Sequence, residues 1–91
     1  MPYARVKDMA EYFGYTEVEL QNKGRQRNKV IARNIAIYLL WTSDRYTLKQ
    51  IGEMLGGRTP ATISHSITTL LKLMNRDTYI KKTVKFLLNN N

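Results

Sequence analysis

Apolar positions recur at helical spacing along the whole chain, and no stretch alternates with period two for long. Val6, Met9, Ala10 and Phe13 follow i, i+3, i+4, i+7 and predict a first helix over about residues 4–13, stopped at Gly14. Thr16 with Glu19 three residues later is a capping box opening a short second helix through Leu20, which Asn22–Gly24 breaks. A third helix from about Arg27 to Trp41 carries Val30, Ile31, Ile35, Ile37, Tyr38, Leu39, Leu40 and Trp41, with almost no polar side beyond its first two turns. Such a helix is surrounded by others, so only Arg27 to Asn34 can meet a polar partner. Thr47 with Gln50 is a second capping box and opens a fourth helix over Leu48–Leu55. Gly56-Gly57 ends it, and Thr59-Pro60 restarts the chain as N-cap and first helical residue. The fifth helix runs to about Met74, with Ile63, Ile67, Leu70, Leu71 and Met74 on one stripe. Asp77 caps a sixth, where Tyr79, Ile80, Thr83, Val84 and Leu87 share a face and Lys81, Lys82 and Lys85 lie opposite. Asn89–Asn91 reads as a frayed tail. The fold expected is all-α, a compact six-helix single domain over residues 1–91.

Composition narrows what this domain can do. With no cysteine and one histidine, the 91 residues exclude a disulfide scaffold, a thiol enzyme and Cys- or His-rich metal sites. No apolar run approaches the roughly 18 residues of a membrane span and no signal-peptide core opens the chain, so a cytoplasmic protein is expected. The acids are scattered, which argues against general acid–base or metal catalysis, and no cofactor or small-molecule substrate is expected. The net charge of +8 is unevenly placed. Through Asn22, Arg5 and Lys7 face four acids; Lys23, Arg25, Arg27, Lys29 and Arg33 then follow with none. A basic run beside an acidic segment is the footprint of a polyanion site, with a solvated loop as the plainer alternative.

The fourth and fifth helices with their glycine turn form a helix-turn-helix over about residues 47–74. In that motif the first turns of the second helix enter the major groove. Its polar side is short (Thr62, Ser64, Ser66, Thr69), and no acid stands between Glu53 and Asp77 to repel phosphate. His65 has no second histidine or acid to work with and reads as a packing or backbone-bonding residue, with a phosphate contact as the alternative. Trp41 reads as core or core edge, with an exposed interaction anchor as the alternative; Lys81, Lys82 and Lys85 read as a solvated face, with distal phosphate or anionic lipid contacts as alternatives. Single-strand binding is disfavoured, because the pattern offers no aromatic platform on the basic surface.

Leu48-Lys-Gln-Ile-Gly-Glu-Met-Leu-Gly-Gly-Arg58, followed by Thr62-Ile-Ser-His65, resembles the C-terminal DNA-binding domain of the bacterial replication initiators of the DnaA family, whose signature has the shape I-G-x-x-F-G-G-R-D-H-T-T-V-x-H-A. The likeness extends to Arg33-Asn-Ile-Ala-Ile-Tyr, to the basic loop and to Ala10-Glu-Tyr-Phe13, where the family has A-E-Y-Y. It implies a fold of the Trp-repressor group and double-stranded DNA as partner. It also implies that Arg25 enters the minor groove, that Arg33-Asn34 stands where an Arg-Gln pair meets phosphate and base, and that Arg58 is the arginine after Gly-Gly. The interface so expected comprises Lys23, Arg25, Gln26, Arg27 and Lys29 of a basic loop at 22–29, Arg33, Asn34, Lys49, Arg58, Thr59, Pro60, Ala61, Thr62, Ser66 and Thr69.

The departures lie at the start of the recognition helix. The family's D-H-T-T is Thr59-Pro60-Ala61-Thr62 here, its later Ala is Ser66, and a Lys one turn on is Thr69. Each lost bidentate base contact removes about 1–3 kcal/mol of discrimination, so an altered or relaxed sequence preference follows. Ala61 is left to meet a thymine methyl. The function expected is duplex binding by a monomer, in replication initiation or its regulation and on the nucleoid, with replication proteins as further partners. The alternative is a protein-interaction adaptor that keeps the fold and binds DNA only non-specifically. No Walker-type phosphate loop occurs in these residues.

Overall fold

Four of the six helices begin on a side-chain cap, and these caps set where the chain turns. The structure, a computed structural model, describes residues 2–90. Its helices are α1 (Val6–Tyr12), α2 (Glu17–Gln21), α3 (Arg27–Thr42), α4 (Leu48–Met54), α5 (Pro60–Arg76) and α6 (Thr78–Asn89). Both capping boxes form: Thr16 Oγ1 accepts from Glu19 N at 3.1 Å, and Thr47 Oγ1 from Gln50 N at 3.1 Å, each with the reciprocal side-chain bond. Thr59 accepts from Thr62 N at 3.2 Å ahead of Pro60, and Asp77 Oδ1 from Ile80 N at 3.1 Å. Asp77 closes α5 and opens α6 with one extended residue, so α5 runs on to Arg76.

α3 is the axis. Ala32 through Ile37 are all buried, and α1, α2, α4, α5 and α6 each pack against this helix. That arrangement is the physical reason for a helix with no polar side. Ile51 and Leu55 from α4 and its end, Ile63, Ile67 and Leu70 from α5, and Ile80, Val84 and Leu87 from α6 complete the core around it.

Two side chains leave the faces that spacing assigns them. Leu71 and Tyr79 are both exposed. At about 100° per residue, each lies off the narrow stripe that its helix turns inward. The expected frayed tail is more ordered than its composition: Asn89 closes α6 and the Asn90 amide donates to Phe86 O at 2.8 Å, while Asn91 lies outside the described residues.

The α4–α5 turn brings backbone against backbone. Gly56 and Gly57 both hold φ +84°, and the N–H groups of Gly57 and Arg58 donate to Gly52 O at 2.9 Å. A Cβ on Gly52 would lie 1.9 Å from Arg58 O. Gly52→Ala therefore has to push the turn off α4, and its cost is expected at or above the upper end of about 1–3 kcal/mol. A urea midpoint unchanged from the parent would contradict this packing.

Candidate nucleic-acid interface

The basic segment divides between a loop and a helix. Residues 22–26 connect α2 to α3, whereas Arg27, Asn28 and Lys29 form the first turn of α3. Lys23, Arg25, Gln26 and Arg27 are exposed, and none of the three cations has a hydrogen bond or ion pair with a described residue. Lys29 is half-buried, with its Nζ folded over the loop at Gly24.

Arg33 and Asn34 do not stand in this open row. They are only 6% and 8% exposed, in the wall of the core. Arg33 Nε donates to Leu20 O at 2.8 Å, and its Nη2 to Asn22 O and, at 3.4 Å, to Gly24 O. Arg58 is half-buried beside it. Its Nη1 donates to Gln21 O at 2.9 Å and to Leu55 O, and its Nη2 to Asn22 O at 3.3 Å. The Gln21 amide adds a bond to Met54 O at 2.9 Å.

The carbonyls at the C-terminal end of a helix lack intrahelical partners and form the negative end of its dipole. The ends of α2 and α4 meet here, and two guanidinium forks satisfy them. Gly56 is part of the fit, since a Cβ there would lie 2.8 Å from Gln21 O. Burial holds the Arg33 guanidinium below its ordinary pKa, and the neighbouring charge of Arg58 adds to this; burial lowers Arg58 as well. Both shifts record the cost of drawing two cations together out of water.

The expectation of an open phosphate contact at Arg33, and of an open amide at Asn34, is thus revised by burial. Arg33 spends its donors on the carbonyls from Leu20 to Gly24 and fixes where the loop, and hence Arg25, sits. Arg58 ties the same loop to the helix-turn-helix.

On the recognition helix, Thr59, Pro60, Ala61, Thr62 and Thr69 are exposed and Ser66 is half-buried; Lys49 is exposed on α4. The Thr59 and Thr62 hydroxyls lie 3.0 Å apart and bond to each other. The leading turn therefore presents Pro60 and Ala61 as an apolar edge, with its two hydroxyls already paired. His65, expected to pack, is exposed one turn beyond Ala61, and Lys72 continues the same outer line at i+11. The i, i+4, i+11 spacing carried that signal: Ile63, Ile67 and Leu70 already claim the opposite face.

The family described as bacterial dnaA protein helix-turn-helix matches residues 6–70. The chain is 37% identical over 79 residues to the chromosomal replication initiator protein DnaA of Geotalea daltonii, covering 87% of this chain and 18% of the relative. It is 35% identical over 81 residues to that of Geobacter metallireducens (89% and 18%), and 31% identical over 83 residues to that of Roseiflexus castenholzii (91% and 17%). No solved structure matches the chain. An all-helical domain built round a helix-turn-helix, with an unpaired basic loop pinned beside it, is the class that fold and surface define. The chain belongs to the bacterial DnaA helix-turn-helix family. It spans about a fifth of the length of the relatives it matches.

Replacing Arg33 by Ala strands the buried carbonyl of Leu20, frees Gly24 O, and leaves Asn22 O with the longer Arg58 bond alone. The expected loss is about 1–3 kcal/mol for the buried Leu20 acceptor. Arg33→Lys should recover little of it, because an ammonium cannot span the carbonyls as a planar fork does. Urea titration of the two variants tests this: a lysine variant as stable as the parent would mean that charge alone suffices.

Proposed function

We propose that this domain binds double-stranded DNA, with the first turns of α5 in the major groove and the Asn22–Gln26 loop laying Arg25 into the adjacent minor groove. The observation that carries this reading is the joint tethering of loop and turn by Arg33 and Arg58, which holds the two reading elements in one fixed relation. Lys23, Arg25, Arg27 and Lys49 supply phosphate and groove contacts in this scheme, with His65, Thr69 and Lys72 along the outer line of α5. Arg33 and Arg58 act as positioning residues. The relatives are chromosomal replication initiators, and the reading places this domain in replication initiation or its regulation, as a monomer on nucleoid DNA.

Sequence preference follows from the apolar leading turn. Pro60 brings no N–H, and the paired hydroxyls of Thr59 and Thr62 leave the methyl of Ala61 to probe base edges. The feature of the major groove that an apolar group can read is the thymine methyl. Replacing thymine by uracil in a bound duplex should weaken binding about fourfold per methyl contacted, from about 0.8 kcal/mol for each buried carbon. Ala61→Ser should abolish the difference; equal affinity of the parent for both duplexes would remove methyl readout from the scheme.

Affinity should fall with salt at a log–log slope of roughly −4 to −5, for about four to six phosphate contacts. Arg25→Ala should cost at least about tenfold in duplex affinity, as for a charged group desolvated in a narrow groove. Fluorescence anisotropy across a salt series checks both, and a slope near zero would sink the duplex reading.

The adaptor alternative draws on the changed α5 start alone. Against it stand three exposed cations at the loop and the start of α3 with no acidic partner among the described residues, for which a protein that had given up DNA has no evident use.

A further inference from the structure

A groove of about 480 Å³ opens where α1 ends and α3 and α6 begin, lined by Tyr12, Phe13, Arg27, Asn28, Asp77 and Tyr79 over apolar side chains of α3. Two of its three aromatics are open to water, while Phe13 packs against the core. Tyr79 is 79% exposed and Tyr12 42%, and the Tyr12 ring lies 6.2 Å from that of Phe86, itself 48% exposed, with 28° between their planes. Two cations border them: Arg27 lines the rim and Lys82 stands one turn from Tyr79 on α6, both exposed, whereas Lys81 and Lys85 face the other side of that helix. At helical spacing Lys82 falls beside Tyr79 and Phe86.

We propose that this groove binds unpaired nucleotides of a single-stranded nucleic acid. Tyr12 is already in contact with Tyr3, Phe13 and Phe86, so the exposed Tyr79 ring offers the stacking face, one that only an unstacked base can use, since a duplex keeps its base faces covered. The cations match a phosphate backbone. The Asn28 amide is exposed with no hydrogen bond to a described residue, and the Asp77 carboxylate uses one oxygen for its cap, so both bring polar atoms to a base edge at the rim. Arg27 joins the groove to the basic loop, so a strand unpaired at the loop passes directly into it. The sequence pattern hides this platform because Tyr79 reads there as a core residue. The proposal goes beyond duplex reading and holds independently of it.

The test is anisotropy of the 91-residue chain with a labelled oligothymidylate of about 12 nucleotides, an abasic deoxyribose-phosphate oligomer of the same length, and a duplex. The oligothymidylate is expected to bind at least about fivefold tighter than the abasic oligomer. Tyr79→Ala should erase that margin and leave duplex affinity within about twofold, while Tyr79→Trp should restore it, with indole fluorescence quenched on binding. Tyr79 holds no core position, so the variants keep the fold. Equal affinity for the based and abasic oligomers overturns the proposal, as does an unaffected Tyr79→Ala variant. An equal loss of duplex affinity in Tyr79→Ala would make the ring part of the duplex surface and overturn it too. If neither oligomer binds and Tyr79→Ala instead abolishes binding of a protein partner, the groove is a protein-docking site and the proposal fails.

Discussion

The whole interface depends on two arginines that face inward. Arg33 and Arg58 gather the backbone carbonyls at the ends of α2 and α4 and thereby weld loop, central helix and turn into one body. Without them, two helix ends would meet negative pole to negative pole with their acceptors unsatisfied. Charge here serves geometry. The cations left outside this junction, Lys23, Arg25 and Arg27, are free to meet a polyanion because the buried pair has already set their position.

This division explains why the fold was more legible in the sequence than the site. The capping boxes at Thr16 and Thr47, the Thr59-Pro60 restart and the Gly56-Gly57 turn announce helix boundaries through local chemistry, and local chemistry decides them. The apolar girth of α3 likewise follows from period alone. Arg33 was harder to place. An arginine two turns into a helix in a basic segment looks like its neighbours, and its burial depends on carbonyls nine to thirteen residues upstream. Family likeness carried the residue type to that position without its surroundings. His65 and Tyr79 err in the other direction: His65 reads inward for want of a second histidine or acid to work with, and Tyr79 because helical spacing puts it on the apolar face. Their helices were already filled by Ile63, Ile67, Ile80 and Val84.

The changed start of α5 concerns the surface and leaves the scaffold intact. Thr59 still caps the helix, Pro60 suits a first turn that needs no N–H, and Gly52 still admits the turn. What reaches a partner can therefore vary while the platform is conserved in its mechanics. A domain built this way can change the exposed residues that open α5 at little cost in stability.

The chemistry of the inner junction carries one more consequence. Its donors are guanidinium groups, which stay protonated in proteins, and its acceptors are peptide carbonyls, which do not ionise. An arginine anchored on carboxylates would be released as acid neutralised its partner; this one has no such weak point. Beside this junction stands Glu19, whose carboxylate is held below its ordinary range chiefly by the Thr16 N–H. Its contribution is complete above the usual carboxylate pKa and fades as pH falls through the lowered value. The support beneath the loop is thus built to ignore proton concentration, while the outer turn of α2 registers it.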